Sequence, residues 1–342
     1  MARVGGTQLT PGLTVRSWGG GRDLSDCRGL EQSGPRRVAV AQRTRDRTTM
    51  PRLRIRHESL YDYPHPVSFG QWRLLMRPLD THATRLIEAT LETPPAQITW
   101  SYDAYGNCVC YLQPDGPADR LKVVNNLVVD RFPSPLADVR VDNPCSTGPI
   151  VYGLYDRAIL QPFISPACED DQPLYRDWLR SLNFGGDEPA VRFLQRMNAA
   201  IHDQFRYGSR EEPGTQGPGE TVVRNSGTCR DFAWLMIESV RRLGFAARFA
   251  TGYLYSPGAT VRGAGATHAW CEVFLPGLGW TEFDPTNALV ESFSLIRVAT
   301  TRTWQEADPM NGTVDGDTQG RLTVAVDVDL VDDSQPPNVM AA

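Results

Sequence analysis

Three residue types that could do chemistry together stand in order along this 342-residue chain: Cys229, His268 and Asp284. Cys229 follows the small polar turn Asn225-Ser226-Gly227-Thr228. It leads into the apolar run Phe232-Ala233-Trp234-Leu235-Met236-Ile237. That pattern places a thiol in the first turn of a helix. There the partial positive charge and unpaired N–H groups favour thiolate, the nucleophilic form. An imidazole can take the thiol proton and return it to a leaving group, and a carboxylate can fix the imidazole tautomer and steady its cation. The set suits attack on a carboxamide or peptide carbonyl through a thioester. Beside an imidazolium the thiol is expected to drop from about 8.5 towards roughly 4–7. The Cys229 N–H is the natural first oxyanion donor; the sequence names no second.

The elements that must position these groups follow from period and punctuation. A helix is expected from Cys229 to about Leu243, with Gly244 ending it. Strands are expected over Ala247–Leu254, His268–Leu275 and Trp280–Asp284. Pro276-Gly277-Leu278-Gly279 should turn the histidine strand back into the aspartate strand. Partners in an antiparallel pair share a face. A plain four-residue loop pairs 275 with 280 and puts Asp284 on the face away from His268. A shared face therefore requires an odd loop or a bulge. Alternation also puts Trp270 and Glu272 on the His268 face and Cys271 on the other. Trp270 is thus a candidate for substrate binding. Arg230, beside the nucleophile, is a second candidate; it could instead pair with Asp231 and steady the helix start.

Composition is that of an ordinary globular protein, with 41 % apolar and 22 % charged residues. The net charge of −5 supplies no basic field for nucleic acid or an anionic membrane. No apolar stretch is long enough for a membrane span. The N-terminus shows no basic start, apolar block and small-residue cleavage site. The seven cysteines form no regular framework, so free thiols and a cytoplasmic location are expected. No metal or other cofactor is expected: Cys108 and Cys110 flank Val109 with no nearby histidine, which falls short of a zinc site. Cys271 reads as a buried thiol. Gly263-Ala264-Gly265 lacks the strand–helix context of a dinucleotide loop and reads as a mobile loop beside the site.

Residues 1–49 hold nine arginines against four acidic residues and show no apolar periodicity. They are expected to be disordered, or to be an extension upstream of a start at Met50. Residues 51–150 read as an antiparallel β domain, a sandwich or barrel, with a hairpin turn at Asp103–Asn107. Pro-rich 133–166 reads as a connector. Helices follow at Gln172–Leu182 and Glu188–Phe205, then a Gly/Pro loop over 211–220. Leu322, Val324, Val326, Val328 and Leu330 alternate in a last strand within 313–342.

Three segments carry a family likeness. They are Ser226-Gly227-Thr228-Cys229-Arg230-Asp231-Phe232-Ala233, His268-Ala269-Trp270-Cys271-Glu272-Val273 and Gly279-Trp280-Thr281-Glu282-Phe283-Asp284-Pro285-Thr286-Asn287. Together they resemble the transglutaminase-like superfamily, in its bacterial group of cysteine proteases and transglutaminases. Residues 57–112 resemble the β domain that precedes the core in that group. The likeness implies an α+β fold, with a papain-like core at 151–312 whose nucleophile helix packs on an antiparallel sheet. It implies Cys229, His268 and Asp284 as the catalytic triad and a protein or peptide substrate. Hydrolysis by a peptidase or amidase is the favoured outcome; amine transfer to glutamine, or a non-catalytic interaction module, are the alternatives. One departure is Thr301-Arg302-Thr303-Trp304, where many relatives have Gly-Arg-Asp-Tyr. The role of that acidic residue is absent here.

Overall fold

The computed structural model describes residues 51–132, 150–186, 188–208, 210, 214–257, 261–263, 265–316 and 320–331. The expected disorder of 1–49 and most of the connector 133–149 lie outside them.

The first strand, β1 (Arg52–Val67), shows why the N-terminal part is a sheet. Leu53, Ile55, His57 and Ser59 are buried while Arg54 and Arg56 are exposed, the period-two pattern of a strand with one covered face. The chain continues through β2 (Phe69–Leu74), β3 (Thr84–Glu92), β4 (Ala96–Tyr102), β5 (Cys108–Pro114) and β6 (Ala118–Arg131). The turn between β4 and β5 closes where Gly106 N–H donates to Asp103 C=O, with Gly106 at φ +79°.

The helices and core strands follow: α1 (Leu154–Ile164), α2 (Pro173–Ser181), α3 (Ala190–Gln204), β7 (Arg206–Tyr207), α4 (Pro218–Arg224), β8 (Ser226–Gly227) and α5 (Cys229–Arg242). Then come β9 (Ala247–Leu254), β10 (His268–Leu275), β11 (Gly279–Asp284), β12 (Leu289–Val290) and β13 (Leu295–Thr301). The last two strands are β14 (Met310–Val314) and β15 (Arg321–Leu330).

Two four-stranded sheets, ordered β15-β1-β6-β3 and β14-β2-β5-β4, share a core of Phe69, Trp72, Leu74, Leu112, Leu121 and Val123. The alternating C-terminal strand β15 returns to pair antiparallel along β1, Leu53 opposite Leu330. The core sheet is ordered β12-β11-β10-β9-β13. One face carries α5 and α3, where Phe232, Met236, Met197 and Ile201 meet Ala269, Cys271, Val273 and Phe283. Further along the sheet, Tyr253, Ile296 and Val298 meet Leu53, Ile55, Leu127 and Val129 of the N-terminal sheet. The molecule is α+β, with its β-rich region preceding the helix-and-sheet core.

Two segments differ from the sequence reading. Leu154–Ile164, expected as connector, is helical; Pro162 sits in its last turn, and the helix closes where the Ser165 N–H donates to Gln161 C=O. Within the expected 211–220 loop, Pro218 instead starts α4 at its first turn.

Candidate active site

Thr228 and Asp231 build the nucleophile's position. Thr228 is extended and caps α5: its hydroxyl accepts from the Asp231 N–H, and its own N–H donates to Asp231 Oδ2 at 2.8 Å. Asp231 is fully buried and further held by Arg210, whose Nε and Nη2 reach Oδ2 and Oδ1 at 2.9 and 3.1 Å. Gln216 adds its backbone N–H at 2.7 Å and its side-chain amide at 3.2 Å. The sequence signal for this device was present and unread: Thr-x-x-Asp immediately before an apolar run. Gly244, at φ +90°, ends the helix, and the Phe245 N–H closes back on Val240 C=O. Cys229, 8 % exposed, is fixed at the first turn with its side chain on the helix–sheet boundary.

The β10–β11 connection is three residues long, pairing Leu275 with Gly279 and Cys271 with Phe283. One step further along, Asp284 comes opposite Trp270 and so onto the His268 face. The odd loop that the spacing required is present. His268 Nε2 and Asp284 Oδ2 stand 2.9 Å apart, both side chains buried. Asp284 is held in turn by the Thr286 N–H on Oδ1 and the Asn287 amide on Oδ2, each at 2.9 Å. The other ring nitrogen, Nδ1, has no hydrogen-bond partner among the described residues, and the Cys229 thiol is its neighbour.

Burial works against a charged imidazole here. The Asp284 charge and hydrogen bond, joined by the influence of Cys229, outweigh it and push His268 up to about 10. Burial likewise opposes the charged form of Asp284, but His268, Asn287 and the Thr286 N–H hold it below the usual carboxylate value. The pair therefore rests as imidazolium and carboxylate near neutral pH. A cation with one face on a carboxylate and the other towards a thiol can hold a proton for a leaving group.

Trp270 is fully buried, stacked on the imidazole at 6.1 Å and 28° and packed among Ala250, Leu254 and Leu295. It backs His268 and offers no surface to a substrate, which corrects its expected binding role. Arg230 is also committed elsewhere. Its guanidinium reaches Thr215 Oγ1 and the Trp304 carbonyl, pairs with Asp308 at 2.9 Å, and lies over the Phe249 and Trp304 rings. Asp231 is not its partner, because Asp231 belongs to the cap and Arg210. Cys271 is buried on the α5 side, opposite His268. No group of metal-ligating side chains occurs among the described residues.

The Gly263 segment does border the site. A Cβ at Gly263 would stand 3.1 Å from His268 Nδ1 and 3.3 Å from the Tyr207 hydroxyl, and φ is +85°. Arg262 anchors this segment to Asn287, accepting and donating through its backbone, so one amide holds both Asp284 and the loop.

Residues 178–285 match the family described as the Transglutaminase-like superfamily, and residues 53–130 match the Bacterial transglutaminase-like N-terminal region. The chain belongs to the transglutaminase-like superfamily. An uncharacterized protein of Mycobacterium tuberculosis is 27 % identical, the match covering 82 % of this chain and 92 % of that one. A second, from Mycobacterium leprae, is 26 % identical over 82 % and 99 % of the two chains. Among solved structures, one from Cytophaga hutchinsonii, described as a candidate cysteine protease, superposes with a TM-score of 0.60 at 20 % identity. It covers 82 % of this chain and 91 % of its own and shares the transglutaminase-like fold.

Proposed function

We propose that this transglutaminase-like protein is a cysteine-dependent enzyme acting on amide bonds of a protein or peptide, with Cys229, His268 and Asp284 as its triad. One observation carries the reading. The buried His268–Asp284 pair, at 2.9 Å, leaves Nδ1 without a partner among the described residues, and Cys229 at its capped helix start bears on the same imidazole. Cys229 attacks the carbonyl, the N–H of its own backbone receives the developing oxyanion, and a thioester forms as the amine or ammonia leaves with a proton from His268. Water then attacks the thioester, giving up a proton through His268, and the acid is released with the thiol restored. Hydrolysis is the favoured second step, and the description of the Cytophaga hutchinsonii neighbour is in keeping with it. The five cysteines within the described residues are free thiols, which supports placement in a reducing compartment.

The test is made with a glutaminyl peptide, a labelled alkyl amine and iodoacetamide. Selective labelling of Cys229, with ammonia or peptide-bond cleavage and no amine incorporation, is expected. Amine incorporation redirects the second step to transglutamination. Slow, uniform labelling of all thiols with no activity leaves a binding module, and activity surviving Cys229→Ala sinks the triad mechanism.

A further inference from the structure

Tyr207 stands at the site with nothing to do in the scheme above. It lies on β7, which runs parallel to β8 in the register Tyr207–Gly227, so the strand delivering it is hydrogen-bonded to the residues entering the nucleophile helix. Its ring packs edge-on against Phe232, one turn into α5, at 6.3 Å. The hydroxyl has no hydrogen-bond partner among the described residues, although the ring is half-buried. Burial first, and then the charges of Cys229 and Asp284, push the phenol up to about 12. It therefore stays a neutral O–H, able both to donate and to accept.

The decisive geometry is at Gly263. One point beside its Cα lies 3.1 Å from His268 Nδ1 and 3.3 Å from the Tyr207 hydroxyl. Both atoms therefore border the position that a side chain at 263 would take. Once the leaving group has carried off the His268 proton, a water or amine nitrogen beside them has two partners: Nδ1 to take its proton, and a phenol to orient it.

We propose that Tyr207 is a further catalytic residue, which together with His268 holds the acceptor, water or a primary amine, as it attacks the thioester on Cys229. The assignment rests on the acyl-enzyme reading above and adds to it the residue that governs deacylation. Orientation of the attacking atom is where a positioned hydrogen bond has the most effect on rate.

The probe is p-nitrophenyl acetate, with the full chain. Attack by Cys229 breaks the ester C–O bond, forms the acetyl thioester and expels p-nitrophenolate, which leaves without a proton, and the imidazolium then gives its Nδ1 proton to solvent. Water then adds to the thioester carbonyl, its proton passes through His268 to the departing sulfur, and acetic acid leaves the restored thiol. Acylation and deacylation separate as a burst and a steady state. In Tyr207→Phe, which keeps the ring on Phe232, the burst is expected to match the unsubstituted protein. The steady-state rate is expected to fall about 10–100-fold, the range of one positioned hydrogen bond. An unchanged steady state overturns the proposal. A burst and steady state that slow in parallel also overturn it, because the ring is then only packing. A protein with no burst, and no difference from Cys229→Ala, removes the acyl-enzyme itself and Tyr207's role with it.

Discussion

Replacing Asp284 with asparagine isolates what holds the imidazole in its charged form. His268 sits at about 10 against an ordinary 6.5, which at 1.36 kcal/mol per unit is on the order of 5 kcal/mol in favour of the imidazolium. Burial alone acts in the opposite direction, as the other buried histidine shows. His57 touches only the neutral hydroxyls of Tyr253 and Ser59 and is lowered to about 4. In Asp284→Asn the charge disappears and burial remains, so His268 is expected to fall by several units, towards or below 6.5. The sign for stability follows. A raised histidine contributes fully below 6.5 and its contribution fades as pH climbs through about 10. Asp284, lowered, contributes above its ordinary 3.8 and loses that contribution as pH falls through its folded value. The pair is thus fully effective from mildly acidic to neutral pH, and the variant should lose most in that window. Nitrogen-15 NMR of labelled histidines from pH 4 to 11 reads both buried rings in one sample. Turnover should fall about 10³–10⁴-fold, as when a triad carboxylate is replaced by its amide. If His268 titrates near 6–7 in the unsubstituted protein, or does not move in the variant, the account of the pair is wrong.

Three further perturbations test the scaffold. Asp231→Ala strips the α5 cap and leaves Arg210 facing an empty buried position; a loss of about 3–5 kcal/mol in urea unfolding is expected, and an unchanged midpoint contradicts the anchoring role. Gly263→Ala forces a Cβ into the left-handed region and against His268 Nδ1; about 1–2 kcal/mol of stability should go, with a changed His268 NMR signal, and an unperturbed signal would show that the segment does not press on the ring. Glu282 lies directly across from Glu272 on the paired strands and is pushed up to about 8, by burial first and that neighbouring carboxylate next. A carboxyl raised in the folded state loses stability as pH rises from 4.5 through 8, so Glu282→Gln should gain roughly 1–2 kcal/mol at pH 9 relative to pH 5; parallel urea curves at the two pH values would refute this.

Local physics made the site's frame legible before its surroundings. Thr228-Cys229 before an apolar run, Gly244 after it and three alternating segments are each decided within a few residues. The α5, β9 and β10 boundaries accordingly match the sequence reading closely. Pairing between distant segments is another matter. Alternation marked β15 as a strand but could not say that its partner is β1, since nothing local distinguishes one half-buried face from another. The same gap hid β13, where Leu295 and Ile296 pair with β9 while Ile296 and Val298 pack on the N-terminal sheet. Arg230 was open to misreading for a related reason: its partners Thr215, Trp304 and Asp308 arrive from loops far along the chain.

The contrast between Asp284 and Trp270 shows where such reasoning stops. Side chains in a strand alternate with period two, so a one-residue change in loop length moves Asp284 from one face to the other. That is a yes-or-no consequence, and the three-residue loop answers it. The same alternation puts Trp270 on the His268 face, and it is there. A face, however, says nothing about depth. Val261, Ala250, Leu254, Leu289 and Leu295 pack around Trp270, so an indole on the reactive face ends up behind the imidazole. Tyr207 is the converse case. Its two-residue strand carries no periodicity to read, yet parallel pairing with Ser226–Gly227 brings its hydroxyl beside the same ring, across Gly263.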